Sequence, residues 1–182
     1  MTAPPPVDLL ERARRIKLLC LDVDGVLTDA GMYYSANGEE LKKFNTRDGM
    51  GIALLRELGI PTALITREDS PIVTARALKL RVEDVYLGSL AKRVAVDDLR
   101  QKYGLSYEEI AYVGDDVNDL PALECVGLPC SVVDGARAAR EAAAYVTARR
   151  GGDGAVREVC DLIMAARSAD IDDDHALVEY VR

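Results

Sequence analysis

Continuous apolar runs alternate along the chain with segments that have helical spacing. Residues 16–21 are apolar apart from Lys17, which predicts a buried parallel strand. Further strands are predicted at 62–65, 85–87, 110–113, 129–133 and 145–147, and helices at 48–58, 71–80, 89–104, 117–125, 136–143 and 154–166. Strands separated by helices in this way predict an α/β fold, with a Rossmann-like, doubly wound parallel sheet covered on both faces.

A β-hairpin is predicted between the first strand and the first of these helices. Asn37-Gly38 lies between two short segments of strand character, and this dipeptide accepts the positive φ of a tight turn. Residues 1–13 are predicted to be a flexible N-terminus or a short helix, and residues 14–167 one domain. Residues 168–182 are predicted to form an acidic tail.

The bulk composition excludes several classes of protein. Of 182 residues, 49% are apolar and 30% are charged, as in ordinary globular domains. No apolar run approaches the roughly 20 residues that a membrane-spanning helix needs. The N-terminus lacks a basic region followed by an apolar run, so no signal peptide is predicted and a cytoplasmic location is expected.

The charge and the metal-binding side chains narrow the choice further. A net charge of −8 argues against nucleic acid or an anionic membrane as a partner. The four cysteines are expected to be reduced, and a zinc site is not expected because the single histidine, His175, lies in the tail. A phosphate ligand would require a metal or local positive charge on so acidic a chain.

Polar side chains follow four successive predicted strands, and their positions predict a ligand site. Open parallel sheets bind ligands beyond the carboxyl ends of their strands. The side chains at these ends are, in chain order, Asp22 and Asp24, then Thr66, then Lys92, then Asp115, Asp116 and Asp119. Taken singly, each is more simply a turn, a helix cap or a solvated surface group. Together, with carboxylate oxygens at two of the ends, they predict an Mg²⁺ site.

These residues resemble the motifs of the haloacid dehalogenase superfamily of phosphohydrolases. The first motif matches Asp22-x-Asp24-Gly25-Val-Leu-Thr28, and the fourth matches Gly114-Asp115-Asp116-x-x-Asp119. Thr66 and Lys92 match the second and third. The resemblance covers roughly residues 14–166, and the first and fourth motifs are its most specific parts.

The chain further resembles the branch of that superfamily that has no cap domain. No long insertion follows the first motif or the second strand, and the segments 38–49 and 150–158 also match that branch. The resemblance implies phosphatases of eight- or nine-carbon 3-deoxy-2-keto sugar acids. It also implies homotetramers in which neighbouring subunits close each active site.

The resemblance assigns a role to each motif residue. Asp22 is implied as the covalent nucleophile, and Asp24 as the group that protonates the leaving sugar oxygen and then activates water. Mg²⁺ is implied to bind Asp22, the backbone carbonyl of Asp24, and Asp115. Thr66 and Lys92 are implied to bind phosphoryl oxygens, and Asp116 and Asp119 to orient metal-bound waters or Lys92.

The residues that choose the sugar are less directly indicated. Candidates for substrate binding are the segment Asn45, Thr46, Arg47, Asp48 and Gly49, and the cations Arg76 and Lys79, which lie on one face of a predicted helix. Glu68 stands where the eight-carbon enzymes usually have an arginine, which resembles the nine-carbon branch.

Two other functions remain open at this point. One is a phosphatase of a different small phosphate ester, and the other is a non-catalytic module for oligomerisation or regulation. The presence of Asp22, Asp24 and Lys92 favours a catalytic protein.

Overall fold

A computed structural model of the chain describes residues 7–167. The strands are β1 (Leu18–Leu21), β2 (Tyr33–Ser35), β3 (Gly38–Leu41), β4 (Thr62–Ile65), β5 (Asp84–Tyr86), β6 (Ile110–Gly114), β7 (Leu128–Ser131) and β8 (Tyr145–Val146). The helices are α1 (Val7–Arg15), α2 (Thr46–Glu57), α3 (Pro71–Leu80), α4 (Lys92–Tyr103), α5 (Leu120–Leu123), α6 (Arg137–Ala142) and α7 (Ala155–Arg167).

The main sheet is six-stranded and parallel, in the order β5-β4-β1-β6-β7-β8. The first strand of the sheet is β1, near its centre; the chain continues outward through β4 and β5 and then crosses to β6, β7 and β8. The strand order therefore reverses at β1, which is where such sheets form a crevice at their carboxyl ends. The predicted doubly wound α/β fold is confirmed.

Helices cover both faces of this sheet. One apolar core packs α1, α2, α3 and α7 against the first face, and the other packs α4, α5 and α6 against the second. All four residues of β1 are buried, as expected for a strand with helices on both sides. None of the helices in the described part of the chain has the length and apolar character needed to span a bilayer.

The segment between β1 and α2 contains the predicted hairpin, formed by β2 and β3. Gly38 has a φ of 109°, which is the positive backbone angle that the Asn-Gly turn requires. Within residues 7–167 no cap domain is inserted after β1 or after β4.

The two ends differ in how far the structure describes them. The N-terminal segment is helical from Val7 to Arg15, with Leu9 and Ala13 buried, so the helix runs two residues past the predicted boundary at 13. The predicted acidic tail, 168–182, lies outside the described residues, as does the predicted flexible stretch before Val7.

Candidate active site

Asp22 lies directly after the central strand β1, at the carboxyl edge of the sheet. Its side chain is almost fully buried, at 6% exposed. One carboxylate oxygen, Oδ1, accepts a hydrogen bond from the backbone N–H of Val23 at 2.7 Å. The other, Oδ2, lies 2.8 Å from Nζ of Lys92. The carboxylate is therefore fixed in place by one backbone donor and one buried cation.

Lys92 is held by a second carboxylate. It is the first residue of α4, and its Nζ lies 2.6 Å from Oδ1 of Asp119. The same oxygen of Asp119 accepts from the hydroxyl of Tyr112 at 2.6 Å, and its Oδ2 accepts from the N–H groups of Asp115 and Asp116 at 3.0 and 3.1 Å. The two oxygens of Asp119 thus accept from four donors. These contacts fix Lys92 and the loop after β6.

Carboxylate oxygens of Asp22, Asp115 and Asp119 all lie within 4.8 Å of one another. Each oxygen of Asp119 already accepts from two donors and Asp119 does not line the pocket, whereas Asp22 has one donor on each oxygen and lines the pocket with Asp115, so Asp22 and Asp115 are the better candidates to bind a cation. Burial, and after it the charge of Asp119, raises the pKa of Asp22 to about 8 and that of Asp115 to about 7. Crowded, poorly solvated carboxylates of this kind fit a hard divalent cation such as Mg²⁺.

The loop after β1 and the loop after β6 approach each other closely, and this approach depends on glycine. Gly25 has a φ of 87°, and a Cβ placed there would lie 2.0 Å from Oδ2 of Asp115. Gly151 packs on the other side of the same loop, where a Cβ would lie 1.8 Å from the carbonyl oxygen of Gly25. Gly152 donates its N–H to the carbonyl of Val26 at 3.0 Å. The glycine-rich segment that starts at Gly151 therefore packs against the loop that follows Asp22 and holds it in place.

Asp24 is tied to the hairpin rather than to the sheet. Its Oδ1 lies 2.6 Å from Nζ of Lys42, which also lies 2.6 Å from Oε1 of Glu39. The other oxygen of Glu39 accepts from the hydroxyl of Ser70 at 2.7 Å. Burial alone would lower the pKa of Lys42, but its bonds to the two carboxylates raise it above the usual value, so Lys42 stays charged.

An open pocket of about 390 Å³ lies over these groups. It is lined by Asp22, Asp24, Ala30, Thr66, Arg67, Glu68, Leu90, Asp115, Asp116 and Asn118. Thr66 is buried, and its hydroxyl oxygen accepts from the N–H of Glu68 at 3.1 Å. Of the predicted motif residues, Asp22, Asp24, Thr66, Asp115 and Asp116 line the pocket, while Lys92 and Asp119 lie directly beneath Asp22.

The predicted substrate-binding residues fall into two groups. Glu68 lines the pocket and is exposed to it. Asn45 caps the N-terminus of α2, where its side-chain oxygen accepts from the N–H of Arg47 at 2.8 Å. Thr46 and Arg47 are exposed outside the pocket lining, and so is Lys79 on α3.

Asp48, Gly49 and Arg76 take part in contacts inside the chain. Asp48 is fully buried and accepts from the N–H groups of Gly154 and Arg157, at 3.3 and 2.8 Å, which joins α2 to α7. Arg76 donates to the carbonyl of Asn45 at 3.0 Å, and a Cβ on Gly49 would lie 2.8 Å from its guanidinium. Their part in substrate binding stays a prediction.

Sequence patterns indicate no part in the site for Lys42, Glu39, Ser70 or Tyr112; Ser70 is predicted only as the cap of α3, and its hydroxyl bonds to Glu39 instead of capping the helix. Tyr112 sits in the middle of the apolar strand β6, so its hydroxyl contact with Asp119 was concealed by its neighbours. Arg67 and Asn118 also line the pocket and were not singled out. The available signal was position: both lie within four residues of a predicted motif residue.

Known proteins are similar to this chain in sequence and in fold. A family model described as haloacid dehalogenase-like hydrolase matches residues 47–127. The 3-deoxy-D-manno-octulosonate 8-phosphate phosphatase KdsC of Escherichia coli (strain K12) is 44% identical over 164 residues, which cover 90% of this chain and 87% of the relative.

Solved structures agree with these comparisons. The 3-deoxy-D-manno-octulosonate 8-phosphate phosphatase of Yersinia pestis is 42% identical, with a TM-score of 0.89 over 91% of this chain and 89% of that one. The phosphatase of the same name from Moraxella catarrhalis, solved with a magnesium ion, a phosphate ion and a KDO molecule, is 36% identical. Its TM-score is 0.89, over 96% of this chain and 98% of that one. This protein therefore belongs to the haloacid dehalogenase superfamily, in the capless group that contains these phosphatases.

Proposed function

We propose that this protein is an Mg²⁺-dependent phosphatase that hydrolyses 3-deoxy-D-manno-octulosonate 8-phosphate. The observation that carries the proposal is the position of Asp22, whose carboxylate lines the pocket between the buried cation of Lys92 and the carboxylate of Asp115. The named activity of relatives that align with 90% of the chain supports the choice of substrate. Phosphate monoesters hydrolyse extremely slowly in water, so such an enzyme needs both a nucleophile and charge stabilisation.

In the first half of the reaction, a carboxylate oxygen of Asp22 attacks phosphorus. A bond forms between that oxygen and phosphorus, and the bond from phosphorus to the sugar oxygen breaks. Asp24, two residues on and in the same pocket, donates a proton to the leaving sugar oxygen. The products of this step are the free sugar acid and a phosphoryl group on Asp22.

In the second half, water attacks the phosphoryl group. Asp24, now ionised, accepts a proton from that water, and the bond between phosphorus and Asp22 breaks to release phosphate. Asp22 is again a carboxylate and Asp24 is again protonated, so the cycle closes. One residue serves as acid and then base because the leaving oxygen and the attacking water occupy the same side of phosphorus in turn.

Charge in the transition state is spread over the phosphoryl oxygens, and the site provides partners for it. We assign these oxygens to Thr66, which lines the pocket, and to Lys92, which contacts Asp22 and is held by Asp119. Asp22, Asp115 and the backbone carbonyl of Asp24 would hold Mg²⁺, which when bound neutralises the repulsion between the nucleophile and the anionic phosphate.

A nine-carbon acid is the second candidate substrate, and Glu68 favours it. The Glu68 carboxylate lines the pocket, where it can accept hydrogen bonds from sugar hydroxyls, of which a nine-carbon acid carries one more than an eight-carbon acid. This feature points to a 9-phosphate such as that of 2-keto-3-deoxynononate. We place the eight-carbon substrate first because relatives of that name resemble the chain over nearly its whole length.

We also infer that the active form is a homotetramer in which the hairpin contacts a neighbouring subunit. At the end of β3 the usual burial of apolar and exposure of charged side chains is inverted. Leu41 is 62% exposed, while the next residue, Lys42, is buried. Tyr33 and Tyr34 on β2 are exposed as well. An apolar outer face on a hairpin beside the pocket is what a subunit contact would cover.

A reducing, cytoplasmic location fits the cysteines. All four are free thiols, and Cys20, Cys130 and Cys160 are buried. Burial raises the pKa of each of these three thiols well above its usual value, so they stay protonated and unreactive.

Phosphate release from a panel of substrates tests the proposal. The panel contains 3-deoxy-D-manno-octulosonate 8-phosphate, a 2-keto-3-deoxynononate 9-phosphate, glucose 6-phosphate and glycerol 3-phosphate, each with Mg²⁺ and with EDTA. We expect kcat/KM for the eight-carbon acid to exceed that for the two simple esters by at least about 100-fold, and EDTA to abolish it. Equal values across the panel would show that the site has no preference for sugar acids.

A further inference from the structure

Lys42 occupies an unusual position for a lysine on an exposed hairpin. Its side chain is 1% exposed, and its Nζ lies 2.6 Å from one oxygen of Asp24 and 2.6 Å from one oxygen of Glu39. The neighbouring Lys43 is 61% exposed and pairs with Asp29 at the surface. Burying an ammonium group costs free energy that only closely placed opposite charges offset, so the position of Lys42 is specific.

The contacts continue beyond Lys42 to a rigid element. The second oxygen of Glu39 accepts from the hydroxyl of Ser70, the residue that precedes α3. Four side chains therefore connect the start of α3, through the hairpin, to Asp24. Glu39 lies on β3 and Lys42 follows directly after it. The hairpin therefore fixes the positions of the two charges relative to each other.

Only one oxygen of Asp24 is used by this connection. Oδ1 is bound by Lys42, while Oδ2 is buried and has no hydrogen-bond partner among residues 7–167. Asp24 lines the pocket and Lys42 does not. The Lys42 ammonium, which lies outside the pocket lining, therefore fixes the rotation of the Asp24 carboxyl group. It leaves Oδ2 of Asp24 unpaired.

We propose that Lys42 is a positioning residue, which holds the Asp24 carboxyl group in the orientation needed for proton transfer to the leaving oxygen. The inference rests on the proposed function, because it assumes that Asp24 is the acid. Lys42 acts through Asp24 and not on the substrate, since Asp24 stands between it and the pocket. A misplacement of a catalytic group by about 1 Å can lower a rate about 100-fold.

The leaving group distinguishes this role from a general structural one. A sugar alkoxide is a poor leaving group and must be protonated as it leaves. Acetyl phosphate instead releases acetate, which is a stable anion and needs no proton. The ratio kcat/KM reports the step in which phosphorus is transferred to Asp22, so it is not affected by the later attack of water. Loss of Asp24 positioning should therefore slow the sugar phosphate and leave acetyl phosphate nearly unchanged.

The experiment compares kcat/KM for 3-deoxy-D-manno-octulosonate 8-phosphate and for acetyl phosphate in four proteins: wild type, Lys42→Met, Lys43→Met and Asp24→Asn. We expect Lys42→Met to lower the value for the sugar phosphate by about 10- to 100-fold and that for acetyl phosphate by less than about threefold. Asp24→Asn should show the same imbalance more strongly, and Lys43→Met should match wild type on both substrates.

Glu39→Gln keeps the inference testable if Lys42→Met does not fold, as circular dichroism would show. This variant removes one charge that holds Lys42, and we expect the same imbalance at about three- to tenfold. Equal losses on both substrates, in either variant, would overturn the role of Lys42 and leave the proposed function intact. Failure of wild type to hydrolyse any sugar phosphate would instead remove the proposed function itself.

Discussion

Nζ of Lys92 lies 2.6 Å from Oδ1 of Asp119, and both side chains are excluded from solvent. Burial alone would lower the pKa of Lys92, but Asp22 and Asp119 raise it, so the lysine remains a cation beneath the pocket. Lys92 therefore contacts two carboxylates, of which Asp22 faces the pocket and Asp119 does not. In the proposed reaction, Lys92 turns from Asp22 to the phosphoryl oxygens and keeps its contact with Asp119.

Replacing Asp119 by asparagine should destabilise the protein and slow it. The amide would face donors that now bind a carboxylate, and Lys92 would lose one buried partner, at a cost of about 3 kcal/mol. For a domain of this size we expect the midpoint of thermal unfolding to fall by about 10 °C. Asp116→Asn is the matched control, because Asp116 is exposed and should change the midpoint little. Equal midpoints for the two variants would contradict the role assigned to Asp119.

Binding of Mg²⁺ should depend on pH in the window set by Asp22 and Asp115. In the metal-free protein the pKa values of these groups are raised, by burial and then by Asp119, to about 8 and about 7. A metal ligand must be deprotonated, so Mg²⁺ has to displace protons below that window and its affinity rises with pH through it. Calorimetry should give a dissociation constant about tenfold or more higher near about pH 6 than near about pH 8.5.

The raised pKa values of Asp22 and Asp115 also predict how the stability of the metal-free protein changes with pH. Since the folded metal-free protein retains protons that the unfolded chain releases above about pH 4, its stability should fall as pH rises towards about 8. Added Mg²⁺ should reverse that fall. A dissociation constant for Mg²⁺ that is the same at both ends of the window would show that these carboxylates are not the ligands.

Glu68 should influence the choice between eight- and nine-carbon substrates. Glu68→Arg replaces a hydrogen-bond acceptor in the pocket by a donor. The additional hydroxyl of the nine-carbon acid would lose an acceptor, while the carboxylate that both acids carry would gain a cation. We expect the ratio of kcat/KM for the 8-phosphate over the 9-phosphate to rise about tenfold. Asp69→Arg makes the same change of charge one residue further on, at an exposed position outside the pocket lining, and should leave the ratio unaltered.

The exposed apolar face of the hairpin should control assembly. Leu41→Asp places a charge on this face, and we expect light scattering after size exclusion to show a smaller particle than wild type. Activity should fall with the loss of assembly, because neighbouring subunits are proposed to close the pocket. Leu78→Asp on α3, where the side chain is 74% exposed, is the control. A wild-type protein that is already monomeric would remove the proposed tetramer.

The order of strands and helices and the carboxylates that line the pocket were predictable because their signals are local. The apolar run ending at Leu21 marked β1, and the aspartates that follow it were identified from sequence as site residues. The Asn37-Gly38 turn was predictable for the same reason, since its backbone angles depend on two adjacent residues.

Other features depend on contacts between distant segments. The helix predicted from 89 begins at Lys92, because the N–H of Ser89 bonds to the carbonyl of Thr66 and the N–H of Gly88 to that of Glu68. Likewise, no periodic pattern predicts that Leu41 points outward and Lys42 inward, since the inward charge depends on Asp24. The contact of Arg76 with the carbonyl of Asn45 required the packing of two helices.

Phosphate release from 3-deoxy-D-manno-octulosonate 8-phosphate by wild type and by Asp22→Asn, both with Mg²⁺, tests the central claim most directly. The two side chains have the same shape, so the comparison tests the charged oxygens of Asp22, which are proposed to attack phosphorus and to bind Mg²⁺. We predict steady release by wild type and a rate for Asp22→Asn that is lower by at least about 1,000-fold. Equal release by the two proteins would show that Asp22 is not the nucleophile, and release by neither would show that this sugar phosphate is not the substrate.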